Sequence, residues 1–299
     1  MNENERALLR YVVEGDIRKS QQQAKIVLEG LTTVKDKAFK ETCLRTLASK
    51  SPTLIELPYN LQGLLVAEDS SAFREDRFLI RDSEKAVIDK MCKTRRAALR
   101  LQEMGIHYTS SLLLMGEPGT GKTELARYIA YTTNLPFVYT NFSGLGKTQK
   151  NIGMVFDYAR KSPCVLCLDE IDAIGTRRGG KDDVAEMNRV TIALMQELDR
   201  LGNDIILVGT TNRPDTLDDA LFRRFTFGHT VRPLCRDDAR TLARMFFASV
   251  GYSASETEIE SLLNDTSQYY TASKITNLCI DHIIDWVASQ EVTSCIGKV

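Results

Sequence analysis

The chain has 299 residues, of which 43% are hydrophobic, and this is enough for a packed core and excludes an intrinsically disordered chain. Its 39 lysines and arginines balance 40 aspartates and glutamates to a formal charge of −1, so nucleic acid and anionic membranes are not expected partners. The polar N-terminus lacks the apolar stretch of a signal peptide, and no apolar run reaches the roughly 18 residues of a membrane span.

Residues 1–50 are polar but carry apolar side chains at three- and four-residue steps, for example Leu8 and Val12. This period predicts an N-terminal helical region, either a hairpin or a small bundle. The apolar stripe fits a local core or a partner-binding surface, because so short a region cannot bury both sides of each helix. Residues 51–73 have poor periodicity and contain two turn-forming prolines, Pro52 and Pro58, which predict a linker.

Residues 74–232 alternate between short apolar β-type runs and helical stretches, the first of which runs from about Ser83 to Met104. The predicted strands are Leu112–Met115, Phe137–Tyr139, Cys164–Leu168, Ile205–Gly209 and a short one near His229–Val231. This alternation predicts an α/β domain with a parallel sheet and helices on both faces. Residues 233–299 show helical patterns alone, over Asp237–Val250, Glu256–Asn264 and Ala272–Ala288, and predict a small α domain.

The string G-E-P-G-T-G-K-T, from Gly116 to Thr123, follows an apolar run and precedes a helical stretch. Glycines let backbone N–H groups turn inward around phosphate oxygens, and the helix adds its positive N-terminal end. We predict a P-loop NTPase domain that binds ATP, with Lys122 reaching the β and γ phosphates and Thr123 ligating Mg²⁺. The predicted nucleotide-binding residues of this motif are Gly116, Glu117, Pro118, Gly119, Thr120, Gly121, Lys122, Thr123 and Glu124.

A second motif, L-C-L-D-E-I-D, ends a later predicted strand. Because ligands on parallel sheets bind beyond the carboxyl ends of the strands, Asp169 and Glu170 are expected near the phosphate loop. Asp169 is suited to Mg²⁺, usually through water, and Glu170 to polarising the attacking water. An isolated acidic pair also fits a strand cap, whereas beside a phosphate loop it indicates catalysis.

A third string, G-T-T-N-R-P-D, follows the next predicted strand. Its Asn212 carries an amide that is able to orient the attacking water or to sense the γ phosphate. The asparagine fits equally a turn residue before Arg213 and Pro214, so the residues alone leave both roles open.

Seven scattered cysteines, an odd number, predict reduced thiols in a cytoplasmic protein rather than a disulfide framework. Cys164 and Cys167 form a C-x-x-C pair inside a predicted buried strand, where an odd offset points their side chains to opposite faces. No second Cys or His pair has zinc-ligand spacing, so both are predicted core residues.

The three strings, together with D-D-A-L-F-R-R-F from Asp218 to Phe225, resemble the AAA+ ATPases, in particular the AAA subgroup that contains katanin, spastin and the proteasomal ATPases. The resemblance covers Phe73–Ala288. It implies that Asn212 is sensor 1 and that Arg223 and Arg224 act on the nucleotide of a neighbouring subunit, where they offset charge on the transferring phosphoryl group. Since the chain holds one module, the resemblance implies a homo-oligomeric ring, most commonly a hexamer, assembled or tightened by ATP.

The helical tail resembles the AAA lid domain. Ala272 and Ser273 stand where the subgroup has a small-residue segment that opens the last lid helix, and this implies contact with the adenosine. A Ser/Thr helix cap explains the same residues, so both interpretations stay open.

Family members that thread polypeptides carry an aromatic–apolar–glycine trio, for which Gly144-Leu145-Gly146 is the nearest match here. The aromatic is missing, which weakens a threading hypothesis unless Phe142 or Leu145 grips the peptide instead. Thr176–Lys181 occupies the place of a second axial loop and equally fits a surface loop.

These features favour an ATP-hydrolysing ring that remodels, unfolds or disassembles a protein client, recognised through the N-terminal helices. The alternative is a regulatory adaptor in which ATP controls assembly and partner binding without threading. The altered axial loop favours the adaptor, and the intact acidic and arginine motifs favour turnover. A loader acting on nucleic acid is disfavoured by the neutral charge.

Overall fold

The computed structural model describes residues 3–13, isolated positions between 20 and 40, and residues 57–296 without 143–148, 162, 176–180 and 264–267. The chain divides into two units, Met1–Ser51 and Pro52–Val299. In the first unit, helix α1 covers Glu3–Val13, as the periodicity of the N-terminal region predicts. The rest of the predicted N-terminal helical region falls mostly on residues outside the described part of the chain. The boundaries predicted for the four segments stay predictions.

The second unit contains one mostly parallel sheet, in which the described strands follow the order β1-β3-β4-β5-β2-β6. The strands are β1 (Val66–Glu68), β2 (Ser110–Met115), β3 (Phe137–Asn141), β4 (Val165–Asp169), β5 (Ile206–Thr211) and β6 (Phe227–Thr230). Only β1 among them runs antiparallel to its neighbour, β3. The α/β fold with a parallel P-loop-type sheet is therefore confirmed.

Helices cover both faces of this sheet and make up the C-terminal part of the unit. They are α2 (Asp82–Glu103), α3 (Lys122–Thr133), α4 (Gln149–Ala159), α5 (Asp172–Gly175), α6 (Lys181–Asp199), α7 (Asp219–Phe222), α8 (Arg236–Ser249), α9 (Glu256–Leu262) and α10 (Ala272–Ile296). Short 3₁₀ turns occur at Tyr59–Leu61, Ser70–Ala72, Glu75–Arg77 and Pro214–Thr216. No helix in the described part of the chain is long and apolar enough to cross a membrane.

Two apolar layers enclose the sheet, because successive side chains of each strand point to opposite faces. In β2, Leu113 packs in the layer that contains α4 and α6, whereas Leu112 and Leu114 pack in the layer that contains α2 and α3. Strands covered on both faces read as continuous apolar runs, which is why β2 shows no polar alternation. The same alternation separates the C-x-x-C pair: Cys164 and Cys167 are both buried, one in each layer, as predicted.

Helices α8, α9 and α10 pack around a third, smaller core that includes Leu242, Phe247 and Ile275. Helix α9 begins with a capping box between Ser255 and Glu258, so its N-terminal amides are satisfied locally. We call α8 to α10 the lid. Helix α10 extends to Ile296, eight residues beyond the predicted end at Ala288.

The structure differs from the sequence prediction over residues 57–73, the described part of the segment 51–73 in which a linker is expected. Residues 66–68 form the edge strand β1, and Leu61, Leu65 and Ala67 are buried in the sheet's core. A strand of three residues is too short to show a period, and its partner β3 lies about 70 residues further along the chain. The tertiary pairing therefore leaves no local signal.

Candidate nucleotide site

The phosphate loop connects β2 to α3 through glycines with positive φ. Gly119 has φ +77° and Gly121 has φ +99°, a backbone region that other residues rarely adopt. Gly116 has φ +144°, and a Cβ at this position would lie 2.3 Å from the carbonyl oxygen of Val231. The loop therefore depends on glycine both for its curvature and for its closeness to the segment after β6.

Lys122 begins α3 and points its ammonium group back into the loop. Its Nζ donates to the carbonyl oxygens of Gly116 at 2.9 Å and Glu117 at 2.8 Å, and to Oδ1 of Asn212 at 2.7 Å. Burial lowers the pKa of Lys122, and the nearby carboxylates, Asp169 first among them, act in the opposite direction. The loop thus fixes a cation at the point where the sequence predicts phosphate.

Asp169, at the end of β4, faces the first turn of α3. The hydroxyl of Thr123 lies 3.4 Å from Oδ1 and 3.5 Å from Oδ2 of Asp169. Two further hydroxyls hold this carboxylate, since Tyr139 donates to Oδ2 at 2.9 Å and Thr210 donates to Oδ1. Oxygen donors of this kind, a hydroxyl facing a carboxylate, suit Mg²⁺. Thr123 and Asp169 are therefore the residues that fit a magnesium ion here.

Glu170 follows directly and has φ +54°, which is unusual for a residue with a side chain. Its backbone N–H donates to the hydroxyl of Thr210 at 3.1 Å, and its Oε2 accepts from Nδ2 of Asn141 at 3.2 Å. Asn141 was not singled out from the sequence. Its place beside Glu170 follows from the register of β3 with β4, in which Asn141 pairs with Asp169, and this register leaves no signal in the sequence.

Asn212 lies just beyond β5 and joins the same edge of the sheet. Its Oδ1 accepts from Lys122, and its backbone N–H donates to Oδ1 of Asp172 at 3.3 Å. The asparagine side chain is therefore directed at the phosphate loop rather than into the turn that follows. Its role as the residue that senses phosphate or orients water stays a prediction.

A cavity of about 330 Å³ extends from the phosphate loop to the lid. Ser273 at the start of α10 donates its backbone N–H to the carbonyl oxygen of Gly119 at 3.0 Å. The hydroxyl of Thr271 accepts from the N–H of Lys274 at 3.3 Å, so Thr271 acts as the helix cap. Ala272 and Ser273 line the cavity, and their contact with an adenosine stays a prediction.

Comparison with known proteins agrees with this geometry. Residues 112–232 match the model of the ATPase family associated with various cellular activities (AAA). The chain belongs to the AAA+ ATPase family. That match contains the AAA+ phosphate loop, the acidic pair after β4, Asn212 and the two arginines.

Several AAA+ relatives align with parts of this chain. It is 32% identical over 237 residues to the peroxisomal ATPase PEX6 of Candida glabrata, covering 71% of this chain and 23% of the relative. It is 42% identical over 128 residues to PEX6 of Dictyostelium discoideum, covering 40% and 11%. It is 36% identical over 170 residues to the ATP-dependent zinc metalloprotease FtsH of Endomicrobium trichonymphae, covering 52% and 26%. The chain spans about a quarter or less of the length of these relatives.

The two arginines predicted to act on a neighbouring subunit lie after α7, away from the cavity between the phosphate loop and the lid. Arg223 is exposed. Arg224 is partly buried and forms a two-point ion pair with Asp199, both N–O distances being 3.1 Å, and it donates to the carbonyl oxygen of Ala220 at 2.8 Å. Both line a separate surface cavity of about 360 Å³. Arg223 is thus the more exposed of the two arginines, and its action on a neighbouring subunit stays a prediction.

The structure corrects one expectation about the AAA+ axial loop. Phe142 is only 4% exposed and packs in the core between the sheet and α4, so it is not placed to grip a peptide. An aromatic side chain next to the last residue of β3 gains more from this burial than from exposure to water. Gly144, Leu145, Gly146 and residues 176–180 lie outside the described residues.

Proposed function

We propose that this chain is the ATP-hydrolysing subunit of a ring that remodels, unfolds or disassembles a protein client. The observation that carries this proposal is the convergence of Lys122, Asp169, Glu170 and Asn212 at the carboxyl edge of one sheet, beside the phosphate loop. The names of the relatives, which include an ATPase and an ATP-dependent metalloprotease, support the choice of ATP.

Each residue of the site has a separate role in ATP hydrolysis. Lys122 binds and orients the triphosphate as a fixed cation, and Thr123 and Asp169 hold Mg²⁺, which when bound neutralises charge on the phosphates. Glu170 accepts a proton from the attacking water. Asn141 holds the Glu170 carboxylate through a 3.2 Å hydrogen bond, and Asn212, whose Oδ1 accepts from Lys122, senses the γ phosphate or orients the attacking water.

The active assembly that we propose is a homo-oligomer, most consistent with a hexamer, in the cytoplasm. Support comes from Arg223, which is exposed and lines a cavity separate from the one between the phosphate loop and the lid, and is therefore suited to complete the site of an adjoining copy. An arginine of this kind contributes on the order of 10³ to 10⁵ in rate. The client binds through the N-terminal unit, where α1 exposes Leu9 and Val12.

The second candidate is a regulatory adaptor that uses ATP to control the assembly or activity of a partner without threading it. Burial of Phe142 favours this candidate, because it removes one of the two side chains that were expected to replace the missing axial aromatic. Leu145 is then the residue on which peptide gripping depends.

The test is the Glu170→Gln variant, with Glu103→Gln at the exposed end of α2 as a matched control. Glu170→Gln removes the proton acceptor and keeps the cavity, so we expect retained ATP binding with hydrolysis reduced at least 100-fold, about the contribution of a general base. The control is expected to hydrolyse ATP like the wild type. Unchanged turnover in Glu170→Gln would remove this residue from the mechanism.

The same variant discriminates the two candidate functions. Under ATP it is expected to hold its client, and proteins recovered with it are then tested as substrates of the wild-type chain. A bound protein that the wild type unfolds or disassembles supports the remodelling ring. A partner whose activity changes while its fold stays intact supports the adaptor, and bound nucleic acid would promote the loader.

A further inference from the structure

The segment Phe73–Arg81, which we call the strap, runs between the sheet and the lid and forms one wall of the nucleotide cavity through Arg77, Phe78, Leu79 and Arg81. None of the sequence motifs includes it. From Phe78 the strap is extended, so alternate side chains point in opposite directions. Phe78 and Ile80 pack in the core formed by α2, α3 and the sheet, whereas Leu79 packs in the core of the lid.

One side of the strap is fixed to α3, the helix that begins at Lys122. The ring of Phe78 lies 5.3 Å from that of Tyr128, and the ring of Phe73 lies 5.5 Å from the same tyrosine. The carboxylate of Glu75 accepts from the hydroxyl of Tyr128 at 3.0 Å. The strap therefore has a defined position relative to the helix that carries the phosphate-binding lysine.

The other side of the strap holds the lid through arginines. Nε of Arg77 donates to the hydroxyl of Ser249, the last residue of α8, at 2.8 Å, and its guanidinium lies 5.3 Å from the centre of the Phe246 ring. Arg74 donates to the carbonyl oxygen of Ser249 at 3.3 Å, although its main partner is Asp76. Two neighbouring arginines of the strap thus contact the same end of the first lid helix.

Arg81 links the strap to the hinge, which we define as residues 232–236, where the chain passes from β6 into the lid. Its Nη1 donates to the carbonyl oxygens of Arg232 at 2.9 Å and Pro233 at 3.3 Å. Its remaining nitrogens bind the carboxylate of Glu84, which is 3% exposed at the start of α2, with a closest distance of 2.6 Å. A planar guanidinium is able to satisfy a carboxylate and two carbonyls together, which an ammonium cannot do in one geometry.

We propose that Arg77 and Arg81 are positioning residues for the nucleotide: they fasten the lid over the cavity and thereby set how long a nucleotide stays bound. The inference rests on the proposed nucleotide site. Ser273 of the lid binds the phosphate loop directly through Gly119, so the lid is held from two sides. Loss of the Arg77 and Arg81 contacts weakens the attachment on the strap side, so the cavity opens more often.

The test uses Arg81→Gln and Arg77→Gln, with Ser249→Ala as a milder variant that removes only a hydroxyl partner. Arg160→Gln is the matched control, because Arg160 is buried to a similar degree, with 28% against 20% side-chain exposure, and pairs with Asp157 and Glu197 away from the strap. Each protein is loaded with Mg²⁺ and a fluorescent N-methylanthraniloyl ADP, and the dissociation rate is measured after addition of excess unlabelled ADP. Amide hydrogen exchange of residues 232–236 is measured separately without nucleotide.

We expect dissociation from Arg81→Gln to be about tenfold faster than from the wild type, because hydrogen bonds of a charged donor are lost, and about threefold faster from Ser249→Ala. Exchange at the hinge is expected to rise in Arg81→Gln and to stay unchanged in Arg160→Gln. Faster hinge exchange in Arg81→Gln with an unchanged ADP dissociation rate would overturn the role in nucleotide retention. The same holds if Arg81→Gln lowers the melting temperature but changes neither hinge exchange nor ADP dissociation. If the wild type did not bind ADP, the proposed function would fail, and the exchange comparison would still decide whether the strap holds the lid.

Discussion

The hydroxyl of Tyr139 donates a hydrogen bond to Oδ2 of Asp169 over 2.9 Å, which joins two neighbouring strands at the edge where the proposed magnesium-binding residues lie. Burial, together with the Asp169 carboxylate, raises the pKa of Tyr139 to about 12. The phenol therefore keeps its proton over the ordinary pH range and remains a donor. With Thr210 on Oδ1, it fixes the orientation of a carboxylate that would otherwise rotate.

Tyr139→Phe removes this donor and keeps the ring. We expect the Mg²⁺ concentration that gives half-maximal ADP binding to rise about threefold to tenfold, because partners that orient a metal ligand contribute on the order of tenfold or more to affinity. Binding titrations at varied Mg²⁺ measure the effect. Tyr158→Phe, which alters a half-buried tyrosine of α4, is the control. Equal Mg²⁺ dependence in both variants would mean that the Tyr139 hydroxyl does not orient the Asp169 carboxylate for Mg²⁺.

Comparing Gly119→Ala with Gly63→Ala separates the effect of backbone strain from the effect of a clash between the phosphate loop and the lid. A Cβ at Gly119 would lie 3.2 Å from Cβ of Ser273, whereas a Cβ at Gly63 would meet nothing within 4 Å, although the φ values are similar at +77° and +81°. Both alanine variants are expected to lose about 1 kcal/mol of unfolding free energy from the left-handed backbone. Only Gly119→Ala is expected to weaken ADP binding, by about tenfold. Equal binding by the two variants would exclude the lid contact as the cause.

The structure predicts different effects for the two adjacent arginines. Arg223→Ala is expected to reduce hydrolysis on the order of 10³-fold without loss of stability, because Arg223 is exposed. Arg224→Ala is expected to lower stability as well, by about 1 kcal/mol, because it leaves Asp199 without its two-point partner. Arg200→Ala, an exposed arginine in the same region, is the control.

Mixing Arg223→Ala subunits with Glu170→Gln subunits tests whether the arginine acts on a neighbour. A mixed ring contains interfaces in which Glu170 of one copy meets Arg223 of the next, so part of the hydrolysis is expected to return. Steady-state ATPase rates at a series of mixing ratios measure this. A rate that merely adds the activities of the two separate variants would contradict action between subunits.

The sequence predicts the elements whose signals are local. The apolar run Leu112–Met115 identifies a strand covered on both faces, and the glycine string identifies the phosphate loop, because both patterns are set by the segment itself. The β1 strand and the contacts of Tyr139 and Asn141 depend on the register of β3 with β1 and β4. No local pattern fixes that register, so these features required the folded structure.

The strap was missed for a related reason. Phe78-Leu79-Ile80 reads as a continuous apolar run, which indicates burial but does not reveal that alternate side chains enter two different cores. Its arginines look like ordinary surface charge in the sequence. Besides Asp76 and Glu84, their partners in the lid and the segment leading to it are backbone carbonyls and one serine hydroxyl, which carry no sequence signal.

Glu84 gives the strap a pH-dependent partner. Burial alone raises the pKa of this carboxyl, but its interactions with His229 and Arg81 outweigh burial and lower the pKa to about 2. A depressed pKa in the folded state means that the carboxylate stabilises the fold fully above its unfolded value of about 4.5 and loses this contribution as pH falls toward 2. The pH window of the effect is therefore about 2 to 4.5.

Glu84→Gln is expected to lower the free energy of unfolding at pH 7 by about 2 kcal/mol, since Arg81 is left without its charged partner. As the pH falls from 5 to 3, the difference between wild type and variant is expected to shrink, because Glu84 of the unfolded wild-type chain binds a proton in this range while the folded carboxylate stays ionised until about pH 2. Urea unfolding at each pH measures both effects. Glu103→Gln, an exposed carboxylate at the far end of the same helix, is expected to follow the wild type throughout. A difference that stays constant down to pH 3 would show that Glu84 acts by packing rather than by charge.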